Sequence, residues 1–151
     1  MRVNRLTVSL VALALCATAA LAHTGAMGVV KQRMDAMKQL GQGMKSIAAM
    51  VKGEAEFDAA VVEMSARMIA RHAGEMPELF PEGSLDKPTE ALPVIWARWD
   101  EFTGIAMQME ADAIALAEAS RNASSVENIL PHLAEVGKSC KACHQDFRLA
   151  K

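Results

Sequence analysis

An apolar repeat at the end of the chain constrains the fold more than any other feature. Its positions follow at alternating steps of four and three residues: Val126, Leu130, Leu133, Gly137, Cys140, His144 and Phe147. Residues with this spacing share one face of an α-helix. The repeat predicts an amphipathic helix whose buried face includes Cys140 and His144. Its start is expected near Leu130, because Pro131 is tolerated only in the first turn.

Residues 140–144 read Cys-Lys-Ala-Cys-His, the C-x-x-C-H pattern of covalent c-type haem attachment. Residues three apart lie on the same side of a helix, so both thiols can reach the two vinyl groups of one porphyrin. The adjacent His144 then offers its imidazole to the iron as the proximal axial ligand. The pattern predicts one haem c with thioether links through Cys140 and Cys143, and with His144 as a metal ligand.

The motif admits two other interpretations. A thioredoxin-like dithiol places its first thiol at a helix start within a βαβ unit, and nothing of that kind surrounds Cys140. A structural zinc site needs a fourth ligand and usually a second pair of ligands at short spacing. The remaining histidines, His23, His72 and His132, stand singly. Haem is therefore favoured, with zinc and a dithiol as alternatives.

Residues 1–22 combine a basic start, a short apolar run and an Ala-Leu-Ala ending. This pattern is that of a secretory signal peptide with cleavage before His23, and the apolar run is short for a membrane span. Cys16 leaves with the segment, so the mature domain, residues 23–151, keeps only the two cysteines of the motif. We expect export to the periplasm, with no stable membrane insertion after removal of the signal.

Charge and composition narrow the function classes. Loss of Arg2 and Arg5 with the signal peptide moves the formal net charge from −2 to −4. An acidic domain in which the sequence shows no basic stripe is a poor nucleic-acid binder. Aromatic residues make up only 4% of the chain. The core is therefore thin for this length, and an inserted porphyrin would help to fill it.

Three further segments show the apolar periodicity of helices. The first runs from residue 26 to a stop near Gly53, the second from 56–57 to 72–74, and the third from 88–93 to 121–122. The proline-rich stretch 76–89 makes a long connection between the second and third. Together with the last helix, these segments predict an all-α fold, an antiparallel four-helix bundle with its haem near the C-terminus.

The opposite face of the iron needs a second histidine or a methionine if it is to be filled. The first helix offers Met34, Met37 and Met44, of which Met37 and Met44 lie on its predicted inward stripe. Arg33 stands four residues before Met37 and so points in a similar direction. An arginine beside a haem can pair with a propionate.

The chain resembles the cytochrome c' (c-prime) family over essentially the whole mature domain. The residues that carry the resemblance are Arg33, Met37 and the segment 37–45, Gly53-Glu54, Leu79-Phe80-Pro81, Ile95-Trp96, 140–144, and Phe147-Arg148. In the low-spin cytochrome c-556 branch, the residue matching Met37 is a methionine that ligates iron. Five-coordinate members usually hold an apolar or aromatic residue there. The resemblance thus implies Met37 as a metal ligand, Arg33 as the propionate-binding arginine, and Arg148 as the basic residue on the proximal side.

What the resemblance implies for function is a periplasmic one-electron carrier with a His/Met-ligated low-spin haem, and no enzyme activity. The expected partners are periplasmic redox proteins that dock transiently, through basic patches that meet the acidic surface of this domain. No nucleic acid is expected as a partner, and the family also contains homodimers that form through the first two helices. The alternative is a five-coordinate cytochrome c-prime that binds nitric oxide or carbon monoxide.

Overall fold

Helices account for most of residues 26–150, the part of the chain that the computed structural model describes. The helices are α1 (Gly28–Val51), α2 (Ala59–Glu75), the short α3 (Val94–Ala97), α4 (Trp99–Ser120) and α5 (Leu130–Phe147). Two 3-10 turns, Met76–Leu79 and Val126–Asn128, precede α3 and α5. The predicted signal peptide, with Cys16 and His23, lies outside the described residues. The all-α prediction is confirmed.

Local chemistry sets the ends of the first two long helices. Gly53 follows α1 with a φ of 73°, a left-handed conformation that glycine adopts without a Cβ penalty, and its amide donates to the Met50 carbonyl at 3.0 Å. The Asp58 carboxylate caps α2 by accepting from the amides of Ala60 and Val61. This cap explains why α2 begins at Ala59, two or three residues later than the start at 56–57 that the sequence periodicity predicted.

The predicted third helix is divided. Arg98, with φ −124° and ψ 44°, interrupts the helical backbone between α3 and α4. Before the last helix, Ser125 and Asn128 form a capping box on the 3-10 turn. As predicted, α5 starts at Leu130, with Pro131 in its first turn, where the missing amide costs no hydrogen bond.

The four long helices pack in sequence around the core. Helix α1 packs on α2, α2 on α4, and α4 on α5, whereas the backbones of α1 and α5 do not pack closely. Helix α4 is thus diagonal to α1, the order of an antiparallel four-helix bundle with α1 and α5 as facing neighbours. None of the helices described between residues 26 and 150 is long and apolar enough to cross a membrane.

The long connection after α2 ties the start of α1 to the end of α5. Phe80 anchors it in the core, with its ring 4.8 Å from that of Phe102. Its far end pairs with the C-terminal segment: the Leu92 amide donates to the Phe147 carbonyl at 3.0 Å, and the Leu149 amide donates to the Glu90 carbonyl at 2.8 Å. These contacts fix the C-terminal end of α5 against the connection.

Candidate haem site

The buried face of α5 lies in a different register from the predicted stripe. The side chains that are buried or half-buried against the core are Ile129, Leu133, Val136, Cys140, Cys143 and Phe147, again at alternating steps of four and three. His144 is exposed, so its predicted place on the buried face is wrong. Because the two registers share Leu133, Cys140 and Phe147, apolar spacing alone did not distinguish them. Leu130, Gly137 and His144 instead form a line on one flank of the core face.

The two thiols of the motif are half-buried and poor at ionising. Burial raises the pKa of Cys140, and burial together with the charges of Cys140 and Asp146 raises the pKa of Cys143 to about 11. The Cys140 Sγ lies 3.7 Å from the Met109 Sδ on α4, in apolar surroundings. A dithiol redox centre needs a lowered thiol pKa, so these environments count against the thioredoxin-like interpretation.

His144 has the environment of a neutral imidazole. Desolvation on its packed side lowers its pKa, the nearby Arg148 guanidinium lowers it further, and the Glu90 carboxylate opposes them. Arg148 itself is bound to Glu90, with 2.8 Å between Nε and Oε2. A neutral imidazole keeps a nitrogen lone pair free for a metal. Within residues 26–150, no three His, Cys, Asp or Glu side chains form a cluster suited to an ion such as zinc.

Arg33 is a buried guanidinium with a complete set of neutral partners. Only 4% of its surface is exposed. Nε and Nη2 donate to the Leu79 carbonyl at 3.1 and 2.8 Å, and Nη1 and Nη2 donate to the carbonyl and hydroxyl of Ser84 and to the Thr89 hydroxyl. Its Cζ lies 3.9 Å from the centre of the Phe80 ring. None of the ion pairs among the described residues includes Arg33, so its buried charge has no counter-ion within residues 26–150.

Replacement of Arg33 by Leu is expected to lower the free energy of unfolding by about 2–3 kcal/mol, since hydrogen bonds from a charged donor are lost and the part-buried Leu79 and Ser84 acceptors lose this partner. The segment 79–89 should then become sensitive to limited proteolysis. Urea unfolding measures the stability. The matched control is Arg67→Leu, which removes an exposed arginine paired with Glu63 and should cost less than about 1 kcal/mol. Equal losses in the two variants would contradict this role of Arg33.

Helix α1 turns one flank towards α2 and the other towards α5. On the α2 side, a Cβ added at Gly43 would come within 2.7 Å of the Met68 methyl group, and Gln39 binds His72 at 3.0 Å. At 100° per residue, Met37 and Met44 lie on the other side of the core face. Both are half-buried against the core. This flank is the one that faces α5.

Helix α5 is oriented in the same way. Its Ser139 hydroxyl donates to the Asp112 carboxylate of α4 at 2.9 Å. The line of Leu130, Gly137 and His144 lies on the opposite flank, away from α4, and so faces α1. In a bundle with α1 beside α5, the flank of Met37 and Met44 is therefore expected opposite the flank of His144.

The connection after α2 also fixes the relative heights of the facing helices. Arg33 of α1 and Phe147 of α5 both bind it, Arg33 at Thr89 and Phe147 at Leu92. The two helices run antiparallel. A residue one turn after Arg33 in α1 is therefore at about the same height along the bundle as a residue one turn before Phe147 in α5. From this alignment we expect Met37 near the height of residues 143 and 144 of α5.

These features fit a haem. The facing flanks of α1 and α5, which do not pack closely, suit a flat group, and two protonated thiols and a neutral imidazole lie together at one wall. The sequence did not reveal the acceptors of Arg33 or the pairing of Arg148 with Glu90, since both depend on the irregular segment 79–91.

Comparisons with known proteins agree with this assignment. The sequence model described as "Cytochrome C'" matches residues 28–148. The cytochrome c' of Rhodopseudomonas palustris is 39% identical over 124 residues, which are 82% of this chain and 83% of that protein. The cytochrome c-556 of Agrobacterium fabrum is 36% identical over 152 aligned positions, which cover 100% of this chain and 99% of the relative.

Solved structures give the same result. A structure of cytochrome c' from Rhodopseudomonas palustris superposes with a TM-score of 0.77 at 37% identity, covering 83% of this chain and 99% of that one. A structure of cytochrome c' from Shewanella frigidimarina gives a TM-score of 0.71 at 34% identity, over 78% and 91% of the two chains. The chain therefore belongs to the cytochrome c' family of haem proteins, which act in electron transfer or gas binding, and it binds one covalent haem c.

Proposed function

We propose that this protein is a periplasmic one-electron carrier whose low-spin haem iron is held by His144 and Met37. Cys140 and Cys143 form the thioether links in this proposal. A methionine as second axial ligand favours the ferrous state relative to a second histidine, because a soft thioether suits the more electron-rich metal. The bound haem supplies the redox chemistry, and the chain supplies the axial ligands, the orientation and the surrounding dielectric.

The observation that carries this proposal is the height of Met37. It lies one turn from Arg33, as His144 lies about one turn from Phe147, and both ends are bound to the same connection. Met44 lies seven residues further along α1, roughly 10 Å away along the helix axis, opposite Gly137. Of the two methionines on the flank that faces α5, Met37 is the one that this alignment favours as the ligand opposite the imidazole.

The other candidate ligands are less well placed. Met34 points outwards from α1 and is 43% exposed. His72 binds Gln39 on the flank of α1 that faces α2, away from α5. His132 lies on α5 itself, three turns before His144, so it shares a helix with the proximal ligand rather than facing it. These positions support methionine, not histidine, as the second axial ligand.

Arg33 and Arg148 take different roles in this proposal. A buried guanidinium without a counter-ion is costly, and a haem propionate would supply the missing anion beside Arg33 by replacing one of its neutral acceptors. Arg148 lies near His144 on the proximal side, where its charge is balanced by Glu90. Both arginines would then act through charge and position, without taking part in bond making.

An absorption spectrum of the ferric protein, followed by addition of carbon monoxide to the reduced form, tests the proposal. With Met37 on the iron, we expect a low-spin ferric spectrum and slow or negligible carbon monoxide binding at the filled sixth site. A high-spin spectrum with rapid carbon monoxide binding would overturn the His/Met proposal. It would instead support the five-coordinate, gas-binding alternative, in which Met37 packs beside the iron without binding it.

Location and assembly are part of the same proposal. The periplasm follows from the signal-peptide pattern of residues 1–22. A homodimer is the expected assembly if this chain behaves as one structural relative, which is 26% identical and is described as a cytochrome c' with a ligand-controlled dimer dissociation. Redox proteins that dock transiently would be the other partners.

A further inference from the structure

The outer face of α1 carries a row of lysines, although the net charge of the chain is negative. Lys31, Lys38, Lys45 and Lys52 recur every seven residues and are all exposed. At 1.5 Å per residue the row extends for roughly 32 Å on the side of α1 opposite its buried face. The prediction that the domain has no basic stripe is therefore wrong, because the lysines stand too far apart in the sequence to read as a cluster.

The centre of the row is free of counter-ions. Lys31 is paired with Asp35, four residues on. Lys38 and Lys45 form no ion pair with any residue between 26 and 150. Lysines at seven-residue spacing often form no more than a solvated helix face. Two further observations distinguish this row.

The first observation is a separation of charge across the bundle. Helix α4, diagonal to α1, holds Asp100, Glu101, Glu110, Asp112 and Glu118 and no basic residue. Helix α1 and its C-cap residue Lys52 present four exposed lysines and a single acid, Asp35, whereas the remaining basic residue, Arg33, is buried. The bundle therefore presents a positive side and a negative side. Such a charge distribution orients a charged partner before contact and raises its association rate.

The second observation is the place of the row relative to the haem site. Around the α1 helix, exposed Met34 and Gly41 lie between Met37 and the lysines. No atom lies within 4 Å of a Cβ built on Gly41, so the surface is open there. A small apolar strip bordered by charges is suited to brief, oriented contact. The acidic side, on α4, does not adjoin the facing flanks of α1 and α5.

We propose that the outer face of α1, centred on Lys38 and Lys45, is the docking surface for a redox protein with an acidic face. The inference rests on the proposed electron-carrier function and specifies the partner. It also reverses the expected polarity, in which basic patches of a partner would meet an acidic surface here. A partner on this face would exchange electrons across a single helix, beside Met37.

The test uses reduced flavodoxin, an acidic redox protein, as electron donor to the ferric holoprotein. We expect the second-order rate to fall at least about tenfold between low and high ionic strength, because opposite charges are screened by salt. Lys38→Gln/Lys45→Gln should remove most of this dependence. The matched control Arg71→Gln/Arg121→Gln makes the same change in net charge on other parts of the surface and should keep it. Equal effects of the two double substitutions would overturn the proposal.

A readout without electron transfer separates this inference from the proposed function. At pH 7 and low salt, the wild type and the control variant should be retained on a sulfonate cation-exchange matrix despite their net negative charge, and the Lys38/Lys45 variant should not. Equal retention of all three would refute a localised basic face. The ligation of the iron is read separately from the absorption spectrum, so a high-spin haem with intact lysine-dependent docking would reject only the ligand assignment.

A second copy of this chain is the competing occupant of the face. Sedimentation velocity compares the wild type with Lys38→Glu/Lys45→Glu. If this charge reversal dissociates a wild-type dimer, the face is an interface between copies and the docking proposal is wrong. An association state that does not change with the substitution supports the proposal.

Discussion

Cys140→Ala/Cys143→Ala should produce a chain with no covalently bound haem. Both thioether links depend on these thiols, which are the only cysteines among residues 26–150. Under denaturing electrophoresis, haem staining should remain with the wild-type chain and be absent from the double variant. Each single substitution should leave one link, with a red-shifted pyridine haemochrome band because one vinyl group stays unsaturated.

The matched control is Met109→Leu. Met109 contacts the Cys140 sulfur at 3.7 Å but has no thiol to react, and leucine keeps most of its volume. We expect full covalent attachment in this variant, so that loss of haem in the double variant reports the thiols and not general damage to the core. Haem that stays with the denatured double variant would show attachment through another residue and contradict the assignment.

The motif and the helices could be predicted because both are local. C-x-x-C-H specifies its chemistry within five residues, and helical periodicity is visible within each segment. The sequence did not determine which face of α5 is buried, because Leu133, Cys140 and Phe147 fit two apolar stripes equally well. Contacts with α4, including the hydrogen bond from Ser139 to Asp112, decide between them, and no single segment contains that information.

The hydrogen-bond partners of Arg33 could not be predicted from its local sequence. Its position one turn before Met37 was visible in the sequence, but its acceptors lie 46 to 56 residues away, in the connection after α2. That connection has no regular backbone, so periodicity says nothing about its path. The lysine row also depends on the fold, because its four residues form one surface only when α1 is helical and its outer face is known.

The substitution Met37→Leu is expected to convert the ferric haem from low spin to high spin and to open the sixth site to carbon monoxide. Leucine fills nearly the same half-buried volume against the core but offers no sulfur to iron. The fold should therefore persist while the coordination changes. Circular dichroism checks the fold, and the absorption spectrum with carbon monoxide titration of the reduced protein measures the ligation.

Met44→Leu is the control that makes this result specific. Met44 lies on the same flank of α1 and is also half-buried, but it stands two turns further along, opposite Gly137. If the spectrum responded to the loss of any methionine side chain near the haem, both variants should change alike. If it responds to the loss of an axial ligand, only Met37→Leu should change. If Met37→Leu stayed low-spin and Met44→Leu became high-spin, the two helices would be offset by two turns from the alignment that the connection imposes. Since Arg33 and Phe147 both bind that connection, such an offset would also require their hydrogen bonds to Thr89 and Leu92 to be broken in the holoprotein.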